Sequence, residues 1–82
     1  MRYTVIWHPA ARDELALAWT QAPNRQAVTD AADRIDSVLR VDPEAKGVDF
    51  YGDRLFVEPP LAVTFTVYAA DRIVQILQVW SR

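Results

Sequence analysis

The chain has 82 residues, of which 51% are hydrophobic, and its nine Lys and Arg against eleven Asp and Glu give a net charge of −2. A chain of this length is expected to form one domain over residues 1–82, and the absence of cysteine excludes disulfides and thiolate metal sites. Proteins that bind the phosphate backbone of nucleic acids usually have more basic than acidic residues. The negative net charge therefore disfavours nucleic acid as a partner.

The first half of the chain predicts one strand and two helices. Residues 2–7 (RYTVIW) are rich in β-branched and aromatic side chains, which is typical of a strand. Apolar residues then recur at helical spacing over Pro9–Gln21 and again over residues 25–41. We expect His8 to act as a junction or capping residue and Asn24 to cap the second helix, which forms an antiparallel hairpin with the first.

The second half of the chain predicts a β meander. Residues 54–58, Leu61–Tyr68 and 73–80 form three predicted strands, and residues 44–53 form a loop with room for a short strand. Alternation divides the side chains of the hairpin between two faces of the sheet. Those expected in the core are Leu55, Val57, Leu61, Val63, Phe65 and Val67. Those expected on the opposite face are Ala62, Thr64, Thr66 and Tyr68.

Together these elements predict an α+β fold in the order β-α-α-β-β-β. A small, mainly antiparallel sheet carries the two-helix hairpin on one face. The last strand is apolar on both faces apart from Gln75 and Gln78, so we expect it to lie centrally in the sheet. The other sheet face stays open, and it offers room for function.

The element order and three stretches of sequence resemble the RelE/ParE superfamily, the toxins of type II toxin–antitoxin modules. The stretches are YTVIWHPAARDEL near the start, GDRLFVEPPLAVTFTV in the hairpin and RIVQILQVW near the end. The resemblance implies a toxin that is silenced by an antitoxin protein wrapped around it. In the RelE branch, toxins cleave mRNA on the ribosome with basic residues on the open sheet face. In the ParE branch, toxins interfere with DNA gyrase.

The resemblance also implies candidate site residues. For RelE-type cleavage the catalytic candidates are Arg54 at the start of its strand, Arg82 at the chain end and Tyr68 as a proton-transfer group. The position before the core of the penultimate strand, where RelE-type members usually carry an arginine, holds Ala62, so the catalytic set is incomplete. Partner binding is expected at two tryptophans, Trp19 on the helix hairpin and Trp80 near the end of the last strand.

Three interpretations of function follow. The first is a toxin-fold protein that works mainly by binding proteins, an antitoxin and a gyrase-like target. The second is a ribosome-dependent mRNA endoribonuclease, and the third is a stand-alone domain that forms homo-oligomers through the open sheet face. We expect no cofactor and no metal, because one histidine and no cysteine supply too few ligands. No stretch is typical of a signal peptide or a membrane span, so we expect a cytoplasmic protein that does not contact membranes.

Overall fold

The computed structural model describes residues 2–81 and confirms the α+β fold. The elements in chain order are β1 (Thr4–Trp7), α1 (Pro9–Gln21), α2 (Arg25–Leu39), a 3-10 turn (Pro43–Ala45), β2 (Val48–Phe50), β3 (Asp53–Glu58), β4 (Leu61–Tyr68) and β5 (Ile73–Ser81). The short strand β2 occupies the loop in which the sequence left room for one. Within the described residues, neither helix is long and apolar enough to cross a membrane.

The five strands form one mixed sheet in the order β1-β5-β4-β3-β2. β1 pairs with β5 in parallel, and the other three pairs are antiparallel. This arrangement confirms the mainly antiparallel sheet. β5 has a neighbouring strand on each side, but the central strand is β4, whereas the sequence predicts β5 in that position. The two helices carry the chain from β1 to β2 at the opposite edge of the sheet, and the antiparallel meander from β2 to β5 then brings the chain back beside β1.

Both helices begin at the caps that the sequence predicts. Nδ1 of His8 accepts a hydrogen bond from the backbone N–H of Ala10 at 3.1 Å, and Pro9 occupies the first turn of α1. Oδ1 of Asn24 accepts from the backbone N–H of Ala27 at 3.1 Å. The predicted capping role of His8 is therefore confirmed.

The core lies between the helices and one face of the sheet. Its fully buried side chains are Val28, Ala31, Ile35 and Leu39 from α2, Leu61, Val63 and Phe65 from β4, and Val74, Ile76 and Val79 from β5, with Ala11 and Ala18 from α1. Full burial of one side chain such as Ile35 or Phe65 contributes about 2 kcal/mol. The two alanines let α1 approach β5 closely, and α2 packs on β4 and β3.

The predicted orientation of β3 is wrong. Glu58 pairs with Leu61 across a two-residue turn, and each even-numbered residue of β3 therefore pairs with an odd-numbered residue of β4. Because side chains alternate along a strand, this register turns Phe56 into the core and places Leu55 and Val57 on the opposite face. Val57 accordingly keeps 37% of its surface exposed.

The face opposite the helices, called the outer face below, is also less open than predicted. Thr64 keeps only 2% of its surface exposed. Its hydroxyl oxygen lies 3.3 Å from Oε1 of Gln78, the residue with which it is paired on β5. The register between β4 and β5 shifts after Thr64, so that Phe65 pairs with Ile76 and Leu77 is the extra residue of a bulge.

Candidate partner-binding site

An open groove of about 790 Å³ runs between α1 and α2. It is lined by Trp7 from β1, by Arg12, Leu15, Ala16, Trp19 and Thr20 from α1, and by Thr29, Ala32, Asp33 and Asp36 from α2. Small side chains, such as Ala16 and Ala32, line the groove together with larger ones, such as Leu15 and Trp19. The lining of this groove is mainly apolar, and a concave site with an apolar lining and a few polar groups is typical of a binding site.

Trp19 is the most prominent side chain of this groove. It keeps 43% of its surface exposed. The guanidinium of Arg25, in the first turn of α2, lies 4.7 Å from the centroid of the indole ring. This cation–π contact holds the ring at the groove wall. The deeper part of the groove is formed by Trp7, Leu15 and Ala32, which pack against the core.

The charges of the groove lie on opposite walls. Arg12 projects from α1, whereas Asp33 and Asp36 belong to α2. Asp36 is engaged by Arg40 one turn later, at 3.0 Å, as the sequence spacing predicts. Asp33 has no ion-pair partner among the described residues. The groove therefore offers one cation and one free carboxylate beside an apolar floor.

Next to the groove, β5 continues beyond the end of β1. The last residue of β1, Trp7, pairs with Ile76, and the residues of β5 that follow have no strand on that side. The backbone N–H of Val79 donates instead to Oε1 of Glu14 on α1, at 3.1 Å. Glu14 therefore satisfies a donor on an otherwise free sheet edge. The sequence did not single out Glu14, because its contact lies 65 residues away.

The outer face of the sheet is almost free of charge. Its strand residues are Thr4, Ile6, Val48, Phe50, Asp53, Leu55, Val57, Ala62, Thr64, Thr66, Tyr68, Ile73, Gln75, Gln78 and Trp80. Asp53 is the only charged residue in this set. Trp80 lies beside Ala62 and Val57 and keeps 38% of its surface exposed. The two predicted partner-binding tryptophans, Trp19 and Trp80, thus belong to different surfaces.

The structure does not bring the predicted catalytic residues together. Arg54 lies on the helix side of the sheet, where its Nε donates to the carbonyl of Lys46 at 2.7 Å and its Nη2 donates to the carbonyl of Gly47 at 3.1 Å. Tyr68 lies on the outer face and keeps 49% of its surface exposed. Arg82 lies outside the described residues. The catalytic role of these three residues stays a prediction.

The surroundings of Arg54 are acidic. The shallow cavity beside it, of about 270 Å³, is also lined by Glu44, Asp49 and Asp53. Glu44 and Asp49 line the same cavity as the Arg54 guanidinium, and their carboxylates oppose the approach of a phosphate. No three His, Cys, Asp or Glu side chains within residues 2–81 are grouped as metal ligands.

Comparison with known proteins identifies the fold. No protein-family model and no curated protein matches the sequence. The toxin–antitoxin complex RelBE2 from Mycobacterium tuberculosis contains a chain of similar structure, with a TM-score of 0.78 and 19% identity over 100% of this chain and 93% of that one. The chromosomal ParDE TA system from P. aeruginosa contains another, with a TM-score of 0.77 and 18% identity over 98% of this chain and 96% of that one. At this identity the likeness shows the fold, and it confirms the predicted RelE/ParE-type fold.

Proposed function

We propose that this chain is the toxin-fold member of a toxin–antitoxin pair and that it works by binding proteins, with a short antitoxin seated in the groove between α1 and α2. The observation that carries the proposal is the half-exposed Trp19 at the wall of an apolar groove. Exposed tryptophan in a concave site is the residue type that contributes most to protein–protein binding. The two structural neighbours support the pairing, since both come from toxin–antitoxin assemblies.

The groove suits one amphipathic helix or extended segment of the antitoxin. Apolar side chains of the antitoxin would contact Trp7, Leu15 and Trp19, as in other helix-in-groove interfaces. A basic side chain would pair with Asp33 on one wall, and an acidic one would pair with Arg12 on the other. This charge arrangement selects the direction in which the segment lies in the groove.

The free edge of β5 supports a second contact with the same partner. An extended segment of the antitoxin could add a strand beside Val79, where β1 has already ended. The Val79 N–H would then exchange its bond to Glu14 for a backbone carbonyl of the added strand. Because α1 borders both the groove and this edge, one antitoxin chain could occupy them in succession.

The uncharged outer face and the acidic surroundings of Arg54 favour protein binding over RNA cleavage. Cleavage of the RelE type needs cations near the scissile phosphate, and among the described strand residues the outer face supplies none. A cellular target such as DNA gyrase is compatible with a surface that recognises protein. We therefore extend the proposal to a protein target rather than to mRNA on the ribosome.

The proposal is tested by purifying the tagged chain from its native host and measuring the affinity of any small protein that accompanies it. We expect Trp19→Ala to weaken this complex by about 2–4 kcal/mol, a loss of roughly 30- to 1,000-fold in affinity. Leu17→Ala is the matched control, because Leu17 lies on the same helix, is exposed and does not line the groove. It should change the affinity by less than about 0.5 kcal/mol.

Two outcomes would count against the proposal. One is the absence of any small stoichiometric partner, and the other is a partner whose affinity is equal for the Trp19→Ala and wild-type proteins. Induced expression, with growth and mRNA integrity followed together, addresses the target separately. Growth arrest with intact mRNA agrees with a protein target, whereas arrest with cleaved mRNA contradicts it.

A further inference from the structure

We infer that the outer face of the sheet binds a second copy of this chain, so that two sheets stack face to face with the helices on the outside. The face is mainly apolar and has no covering layer among the described residues, whereas the opposite face is covered by both helices. In a two-layer fold, stacking two such sheets produces a four-layer dimer with a sandwich-type interior. This surface is distinct from the groove that we assign to the antitoxin.

The distribution of charge on the outer face favours self-association. Of the strand residues on this face, only Asp53 carries a charge, and it lies at the start of β3, toward the margin of the sheet. A second copy presents the same charges in the same places, so a face rich in cations or anions would repel itself. The outer face carries too little charge to repel a second copy of itself. Its exposed apolar side chains include Ile6, Val57 and Trp80.

The polar residues on the outer face also suit contact with a second copy. Gln75 pairs with Thr66, and Gln78 pairs with Thr64. Amide and hydroxyl groups both donate and accept hydrogen bonds, so the same residues can bond to their own copies across a two-fold axis. Asp and Arg cannot do this, because each has only one of the two capacities. The face is thus chemically complementary to itself.

The size of the outer face is sufficient for a weak dimer. The strands contain 4, 3, 6, 8 and 9 residues, an average of about six. At about 3.4 Å per residue and about 4.8 Å per strand, the face measures roughly 20 by 24 Å. Two copies would therefore bury on the order of 1,000 Å² in total, which is the lower limit for a specific interface. We expect a weak dimer with a dissociation constant on the order of micromolar.

The test is sedimentation equilibrium of the purified chain from about 5 to about 500 µM, a range that brackets the expected dissociation constant. The average mass of the wild-type protein should rise from 9.3 kDa toward twice that value. Val57→Lys and Trp80→Lys each place two like charges in the interface, and each should weaken association at least tenfold. Leu17→Lys adds the same charge on the exposed side of α1 and should leave association unchanged.

A second measurement covers the case in which the charged variants fold poorly. The chain has no cysteine, so Gln78→Cys introduces a single thiol on the outer face. A short bis-maleimide should crosslink this variant into a dimer, and Leu17→Cys should remain monomeric under the same conditions. The inference is overturned if the wild-type chain stays monomeric at the highest concentration, or if Gln78→Cys and Leu17→Cys crosslink equally. It is also overturned if Trp80→Lys instead releases a different, co-purifying protein.

The two proposals fail independently. Trp19→Ala should weaken antitoxin binding without changing self-association, since Trp19 lies on the helix side of the molecule. Loss of the antitoxin partner would therefore leave the dimer intact, and a monomeric chain could still bind its antitoxin.

Discussion

Replacement of Arg54 distinguishes a structural role from the catalytic role that the resemblance implies. The guanidinium donates two charge-assisted hydrogen bonds, to the carbonyls of Lys46 and Gly47, and both bonds are partly buried. Removal of one such bond typically costs about 1.5–3 kcal/mol, and water can compensate part of the loss at this half-buried site. We therefore expect Arg54→Ala to lower the free energy of unfolding by about 2–3 kcal/mol in total.

Urea and thermal unfolding measure this loss directly. For a chain of this size, 1 kcal/mol corresponds to about 4–8 °C, so the midpoint should fall by roughly 10–20 °C. Arg54→Lys keeps the positive charge, but a single ammonium cannot donate to both carbonyls. This substitution should therefore lower the free energy of unfolding by about half as much as Arg54→Ala. Arg12→Ala removes a guanidinium with no side-chain hydrogen bond among the described contacts, and it should change stability by less than about 0.5 kcal/mol. If the Arg54→Ala protein is as stable as the Arg12→Ala protein, Arg54 does not have the structural role described above. If it is stable and has also lost toxicity, the result favours a catalytic role for Arg54.

The remaining predictions concern a glycine pair and one ion pair. Gly47 has a φ of +70° and a Cβ there would overlap the carbonyl oxygen of Leu55, whereas Gly52 has a φ of +89° and open space around it. Gly52→Ala should therefore lower the free energy of unfolding by about 1–2 kcal/mol, from backbone strain alone. Gly47→Ala should lower it by at least about 1 kcal/mol more, as measured by urea unfolding. Equal losses for the two variants would contradict the overlap at Gly47. Arg34 and Glu58 join α2 to β3 at 2.9 Å, but their side chains are 51% and 23% exposed. Arg34→Ala should cost less than about 1 kcal/mol, and this difference should shrink in about 1 M salt; a loss insensitive to salt would indicate packing instead of charge.

The helices and strands were predictable, because the sequence patterns that define them involve residues close to one another along the chain. The bounds of α1 and β4 follow from periodicity and from the prolines that flank them, and the structure reproduces both. His8 and Asn24 were recognisable as caps for the same reason, since a cap acts within three residues of its own position. The order of the elements, together with three stretches of sequence, was sufficient to predict the RelE/ParE-type fold.

The candidate sites were less predictable. Trp19 and Trp80 were identified as partner-binding residues from their type, yet no pattern showed that they lie on opposite sides of the molecule. Trp7 and Leu15 are ordinary core positions by sequence, and they line the groove only because α1 and α2 leave a gap above them. Glu14 has a role only because β1 ends before β5 does.

The sequence by itself determines the alternation of side chains along each strand and the positions where the helices begin and end, because each depends on residues a few positions apart. Which face each strand turns to the core was decided by tertiary structure. The tight turn between Glu58 and Leu61 sets the register of β3, and with it places Arg54 on the helix side and Val57 on the outer face. A shift of one residue would reverse both, since side chains alternate with a period of two. The register is set by the pairing of residues on neighbouring strands. Only the assembled sheet therefore determines which residues share a surface.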